Sequence, residues 1–291
     1  MKFLFVKAFV LTILLLFVTN LQADNGKPDL WKVEKNGNTS YLFGSIHLGS
    51  PDMYPLSEEV SKAYASSDHL VVEIDLKPAD QMKLVPLIQK HGLNPGVPIE
   101  NRLSEKTLAI YKETCSKDSL PCEQFAPLKA WLLSLQLSVM KMQQLGFKED
   151  LGIDKYFIDK AHKENKTVIN LETADFQIKM LSSFSQAQQE LMLIQSLQAS
   201  KEDFIGLFDA WKSGNDDDMM KMFRKDFDKV GAKEMYQVIL DDRNIGMVEK
   251  IAKNIQQKKS LFVVVGAGHI VGDKGIVNLL KKQGFKLTQI Q

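Results

Sequence analysis

Two histidines sit in the same local pattern near opposite ends of the chain. Tyr41-Leu42-Phe43 runs into Gly44-Ser45-Ile46-His47, and Leu261-Phe262-Val263-Val264-Val265 runs into Gly266-Ala267-Gly268-His269. In each, an apolar run with the character of a buried strand ends in glycine, and an imidazole follows three positions later. Glycine permits backbone angles that a side chain forbids. A sharp exit can then leave the imidazole at the carboxyl end of a strand, where open α/β sheets bind ligands. Two such strands side by side would aim two imidazoles into one crevice, and neutral imidazole is the commonest protein ligand for metals of the zinc and iron class. One Gly-x-x-His is a common accident. Two copies, both ending apolar strands in a chain with five histidines, favour a function. The other three read as structural: His69 precedes a strand, His91 lies in a helix-stop loop, and His162 stands among Lys160, Lys163 and Glu164 on a solvated helix face.

Glu73 interrupts the apolar run Leu70-Val71-Val72-Glu73-Ile74-Asp75. A carboxylate there is costly unless it is paired, bound to a cation or turned to water. Asp75 has the same-face spacing, so the two acids could be a ligand and its support. Glu172 stands at the end of another short apolar run, Thr167 to Leu171, and invites the same argument. Arg243, after Asp241-Asp242, opens a helix; it could steady a developing anion or simply pair with Asp241. Ser45 beside His47 suggests a serine nucleophile only weakly.

The elements that must position these groups are legible from periodicity. Leu30–Glu34 and Tyr41–Ile46 read as strands joined through Lys35-Asn36-Gly37-Asn38, an Asn-Gly hairpin signal. A helix opening at Pro55-Leu56-Ser57 with Ser57 as N-cap, then the strand at 70–75, makes a parallel crossover unit. Ala79–Lys90, Ser104–Cys115, Pro127–Leu145 and a segment from Gly152 to Asn165 have helical spacing. A strand near 167–171 follows, then three or four helices between Ala187 and Gln257, broken at Ser213-Gly214-Asn215 and near Val230-Gly231. The continuous apolar strand 261–265, a helix from Gly275 to Lys282 and a closing strand at Phe285–Thr288 complete the chain. The expected fold is therefore α/β: a central mixed or mostly parallel sheet built from both ends of the chain, with a large helical insertion at about 78–257, interrupted by the strand at 167–171.

Residues 1–23 carry a basic start (Lys2, Lys7), an apolar stretch from Ala8 to Val18 and Ala23 before Asp24-Asn25-Gly26. This is the form of a secretory signal peptide, and its apolar stretch is shorter than the ~20 residues of a spanning helix. Cleavage after Ala23 would leave one domain at 24–291, exported to a periplasmic or extracellular space, with no membrane span. It would also turn the formal charge of +1 into −1. A near-neutral chain has no electrostatic footprint for nucleic acid. Cys115 and Cys122 are the only cysteines. In an oxidising space a local disulfide is the first reading and metal binding the lesser one.

Tyr-Leu-Phe-Gly-Ser-Ile-His at 41–47, Val-Glu-Ile-Asp at 72–75, Leu-Glu-Thr at 171–173, Asp-Arg-Asn at 242–244 and Val-Gly-Ala-Gly-His at 265–269 occur in this order. As an ordered set they resemble the TraB/GumN family, which includes the Tiki proteins; Gly152-Ile-Asp and Gln177 also fit. The resemblance spans nearly the whole of the chain after residue 23. It implies a fold similar to erythromycin esterase and the haem-binding ChaN proteins, and for the Tiki branch a metal-dependent protease that uses the paired Gly-x-x-His motifs. The reading that joins residues and resemblance is an exported metal-dependent hydrolase, foremost a peptidase, acting on a peptide or small-molecule substrate. His47 and His269 would bind a divalent ion of the manganese, cobalt or zinc class. Glu73 would be a third ligand or the base that activates water, with Glu172 and Arg243 as supporting catalytic groups. Two alternatives stay open: a haem- or metal-binding protein without turnover, and a metal-independent esterase-like hydrolase with His47 and Glu73 as its acid–base pair. Gly266 to Gly272 imitates a dinucleotide loop, but Lys286-Leu287-Thr288-Gln289 lacks the acid that fingerprint needs.

Overall fold

A computed structural model describes residues 28–75, 78–118, 120–224 and 231–290. Residues 1–23, read from the sequence as a signal peptide, lie outside the described residues. Among the described residues six strands form one mixed sheet: β1 (Leu30–Lys35), β2 (Asn38–Ser45), β3 (His69–Val72), β4 (Thr167–Asn170), β5 (Leu261–Gly266) and β6 (Lys286–Gln289). Their spatial order is β4-β3-β5-β2-β1-β6, with β4, β3, β5 and β2 mutually parallel and β1 antiparallel to both its neighbours. The hairpin is as expected, with Asn36 and Gly37 both at positive φ, the backbone that matches the twist of the flanking strands. Because β2, β5, β3 and β4 run in parallel, their carboxyl ends share one edge. The first four groups of interest follow that edge: His47, His269, Glu73 and Glu172.

Strand β5 is central, and Leu261 to Val265 are each at most 1% exposed. Successive side chains alternate faces, so both faces of the sheet are covered, which is why the strand reads as an unbroken apolar run. One face carries an aromatic cluster. Phe43 of β2 and Phe262 of β5 meet Phe157 of α6 (Ile153–Lys163) and Tyr64 of α1 (Glu58–Ala65) at ring separations of 4.8–6.2 Å. Ser57 caps α1 by accepting from the Val60 amide, as the sequence predicts.

Between β3 and β5 the chain is mostly helical. The segments are α2 (Pro78–Gly92), α3 (Glu105–Lys117), α4 (Cys122–Phe125), α5 (Ala130–Gln144), then α6, α7 (Ala174–Ser182), α8 (Gln186–Gln198), α9 (Lys201–Ser213), α10 (Asp216–Arg224), α11 (Ala232–Tyr236) and α12 (Asp242–Gln256); α13 (Ile276–Lys282) follows β5. Helices α3, α5 and α8 pack on a core of their own that includes Tyr111, Leu133, Leu137, Leu193 and Leu197. By contrast α6, α12 and Phe208 and Trp211 of α9 join the core of the sheet. Cys115 and Cys122 form the expected disulfide, which ties the end of α3 to the start of α4. Among the described residues no helix is long and apolar enough to cross a membrane.

The stretch after Ala187 is more finely divided than its apolar spacing predicts. A break also falls at Ser200, which caps α9 in a reciprocal pair with Asp203, as Ser185 caps α8 with Gln188 just before this stretch. A π-helix at Gln237–Asp241 feeds directly into α12.

Candidate active site

The two Gly-x-x-His strands lie side by side: β2 pairs with β5 in parallel, Gly44 opposite Val265 and Ser45 opposite Gly266. They touch closely. A side-chain carbon on Gly44 would sit 3.2 Å from the Ala267 Cβ, tighter than an ordinary van der Waals contact. Trp211 of α9 pins the same point, its Nε1 donating to the Gly44 carbonyl at 2.9 Å.

Beyond these strand ends the motifs diverge. The chain after Gly266 turns at once through a short 3-10 segment, Ala267–His269, and buries His269 to 3% exposure. The chain after Ser45 runs on, and the His47 side chain is 62% exposed. His47 is held from outside the sheet by the segment that opens α6. Ile153 N donates to the Ile46 carbonyl at 3.0 Å, and Gly49 and Lys148 exchange two backbone bonds. Gly152 must be glycine here, because a Cβ would stand 2.2 Å from the His47 carbonyl oxygen. This contact delivers Asp154, whose Oδ1 lies 3.1 Å from His47 Nδ1. The Asp154 carboxylate raises the His47 pKa to about 9. His269 goes the other way: burial lowers it to about 4, so it is neutral at pH 7. Its Nδ1 lies 2.7 Å from Asn244 Oδ1 and its Nε2 3.8 Å from Glu73 Oε1.

Glu73 follows the last residue of β3 and reaches under both motifs. Its Oε1 accepts from the Gly266 amide at 2.9 Å, and its Oε2 accepts from Arg243 Nη2 at 2.6 Å and Gln177 Nε2 at 3.2 Å. Burial alone would raise its pKa. The charges of His269, Arg243 and His47, with the Gly266 N–H, outweigh that and hold it down at about 2. Glu172, delivered by the backbone step Glu172 N to Glu73 carbonyl at 2.9 Å, meets the same arginine. Arg243 donates from Nε to Glu172 Oε1 at 2.9 Å and from Nη2 to Glu172 Oε2 at 2.7 Å. Gln177 Nε2 also reaches Glu172 Oε2, at 2.8 Å. Arg243 Nη1 donates to the Ile239 carbonyl at 3.1 Å, inside the π-helix. Helices of this kind leave carbonyls out of the regular ladder and recur at functional sites.

Three expectations are corrected. Arg243 does not pair with Asp241, which lies 3.1 Å from Lys274 Nζ; the arginine instead joins Glu73 to Glu172. Asp75 is not the partner of Glu73. Strand β3 ends at Val72, so the two-residue alternation no longer holds, and Asp75 Oδ2 bonds His162 Nε2 at 2.8 Å. His162, its side chain 44% exposed, keeps its solvated face and has Asp75 as a structural partner. His91, expected in a loop, lies in the last turn of α2 with Nδ1 3.4 Å from Ser182 Oγ. Asp154 and Asn244, which orient the two histidines, have no role assignable from sequence; their signal is only their place in Gly152-Ile-Asp and Asp-Arg-Asn, at the starts of α6 and α12.

A model of the TraB/PrgY/gumN family matches residues 29–289. The chain belongs to this family. It is 26% identical to the YbaP protein of Shigella flexneri over 83% of this chain and 88% of the relative. It is 25% identical to YbaP of Escherichia coli (strain K12), over 83% and 87%. A metalloprotease TIKI homolog of Nematostella vectensis is 21% identical, over 90% of this chain and 67% of the relative. No solved structure matches, so the expected likeness to erythromycin esterase and ChaN stands on the resemblance of motifs alone.

The donors can be weighed against a metal. Each histidine has Nδ1 engaged by a side-chain oxygen, leaving Nε2 as the other ring nitrogen. Two ligands at about 2.0–2.1 Å from one ion lie at most about 4 Å apart, and His269 Nε2 and Glu73 Oε1 are 3.8 Å apart. That pair fits. Among the described residues, however, no three of His, Cys, Asp and Glu are gathered closely enough to hold an ion as they stand, and Glu73 Oε2 is committed to Arg243 and Gln177.

Proposed function

We propose that this chain is a metal-dependent hydrolase, foremost a peptidase, that acts after export on a peptide or small-molecule substrate. The observation that carries this reading is the convergence of Glu73 and the two motifs at the carboxyl edge of adjacent parallel strands. Each histidine there is oriented through Nδ1. His47 and His269 would hold a divalent cation of the manganese, cobalt or zinc class, with Glu73 Oε1 as third ligand or as base. Such an ion, when bound, polarises a carbonyl and lowers the pKa of water.

The chain's own groups have separable tasks. Arg243, beside His269 and His47, helps keep Glu73 ionised, and it fixes the carboxylate plane. Four of its five N–H donors are spent on Glu172, Glu73 and Ile239, so it serves the carboxylates before any anion on the substrate. Glu172 balances the arginine, and Gln177 ties the two glutamates together. His47, exposed and paired with Asp154, stands where substrate approaches. The metalloprotease name of the Nematostella relative supports the peptidase class.

A metal-free reading is favoured by one observation: Glu73 already has both oxygens bonded within the protein. His47 and Glu73 would then be acid and base. Metal analysis of the purified protein, with cleavage of a broad peptide library before and after chelation, separates these. Cleavage abolished by chelator and restored by Mn²⁺, Co²⁺ or Zn²⁺ is expected; cleavage that survives chelation overturns the metal, and bound metal or haem without cleavage leaves a binding protein. Export is tested by the intact mass of protein from a secreting host, which should begin at Asp24; retention of Met1 refutes it.

A further inference from the structure

His269 is 3% exposed and Asn244 1% exposed, so their contact is settled within the protein. His269 Nδ1 lies 2.7 Å from Asn244 Oδ1. The amide cannot be turned over, because Asn244 Nδ2 donates to the Lys274 carbonyl at 3.0 Å. A flipped amide would set its oxygen against that carbonyl, two acceptors with no proton between them. Lys274 is itself anchored, its Nζ 3.1 Å from Asp241 Oδ2, one turn before Asn244. The Asn244 oxygen therefore faces the ring, and the ring nitrogen it faces must carry the hydrogen. A neutral imidazole has one N–H.

We propose that Asn244 is a positioning residue that fixes His269 as the Nδ1–H tautomer and so presents a bare Nε2 lone pair to the site. The opposite arrangement is what Glu73 alone would select. Its ionised Oε1, 3.8 Å from Nε2, would draw the ring proton to that nitrogen and close it to any ligand. Asn244 wins because its contact is shorter and its amide is held from behind by a backbone carbonyl. The inference rests on the proposed site only in taking His269 as the group that meets a cation or substrate.

The test reads the tautomer directly. The full chain, free of metal and with ¹⁵N-labelled histidine, is examined by ¹⁵N–¹H correlation spectroscopy, the His269 signals being assigned by their loss in His269→Gln. In the wild type, Nδ1 should be the protonated nitrogen and Nε2 the bare one. Asn244→Leu, which removes the acceptor at similar volume, should transfer the proton to Nε2. It should also weaken Co²⁺ binding about 10- to 100-fold, as loss of a ligand's orienting partner does. A wild-type spectrum with the proton on Nε2, or a folded Asn244→Leu protein with an unchanged tautomer, overturns the proposal. Should Asn244→Leu not fold, the wild-type spectrum still decides. If the wild type binds no Co²⁺, the metal reading fails while the tautomer result stands on its own.

Discussion

Arg243→Met removes the one cation that joins Glu73 to Glu172 while keeping an unbranched side chain in its place. Arg243, Glu73 and Glu172 have side chains only 7–12% exposed, so water cannot replace the lost donors. Glu73 lies at about 2 against an ordinary 4.5, a depression of two and a half units. At about 1.36 kcal/mol per unit that amounts to roughly 3 kcal/mol of stability at neutral pH. That depression is the joint work of His269, Arg243, His47 and the Gly266 N–H, so it does not isolate the arginine; breaking a buried ion pair from one side costs about 3–5 kcal/mol, and that is the deficit expected at pH 7. The sign with pH follows. A depressed carboxylate stabilises the wild type above about pH 4.5 and loses that contribution as pH falls towards 2. Without the arginine, Glu73 loses one of the charges that hold its carboxyl down, and its pKa rises from about 2 towards the ordinary 4.5. The variant's Glu73 then protonates at a higher pH than the wild type's, and its deficit shrinks as pH falls from 7 to about 3. Urea denaturation of both proteins at the two pH values measures this. A deficit below about 1 kcal/mol at pH 7, the range of an exposed ion pair, or a deficit that does not change with pH, would refute the idea that Arg243 compensates buried charge.

Two further outcomes are expected. Replacing Cys115 and Cys122 by serine should lower stability by about 2–3 kcal/mol, the loop-closure value for so short a loop, without abolishing activity, since the bridge belongs to the helical core and not to the site. Denaturation and peptide cleavage on the same sample check both halves, and loss of cleavage in a folded protein would contradict the second. Gly152→Ala should displace the His47 loop, because its Cβ would meet the His47 carbonyl at 2.2 Å. Its histidine signals should show His47 titrating nearer its ordinary 6.5 than the raised value it has beside Asp154; an unchanged titration would mean that the clamp does not set that contact.

Most of the sheet was legible because its signals are local. The Asn36-Gly37 turn, the apolar run at 261–265 and the Ser57 cap each depend on neighbours in sequence. The helices after Ala187 were under-divided for a local reason also. Ser200 with Asp203 is a capping pair readable from spacing, but the apolar periodicity of the flanking helices masks it. At the site, Gly-x-x-His patterns and strand-end acids marked which residues reach the edge. What they touch there was not legible. The bonds from Arg243 to Glu73, from His162 to Asp75 and from Asp154 to His47 span about 90 to 170 residues, and only packing of α6 and α12 on the sheet brings them together. The π-helix adds an offset before α12 that no helical periodicity announces. The two histidine motifs look equivalent in sequence and are not: one strand is followed by an immediate tight turn that buries His269, the other by a loop that leaves His47 in solvent.

The central claim is that His47 and His269 act on one ion, and metal binding by single and double variants tests it most directly. Wild type, His47→Ala, His269→Ala and the double variant, each shown to be folded, are stripped of metal and titrated with Co²⁺, with bound metal also measured after purification. One ion per chain is expected for the wild type. Each single variant should lose it, and the double variant should be little worse than either, because residues acting as one unit are strongly non-additive. Full occupancy in either single variant, or two independent losses that add in the double variant, would contradict a shared site.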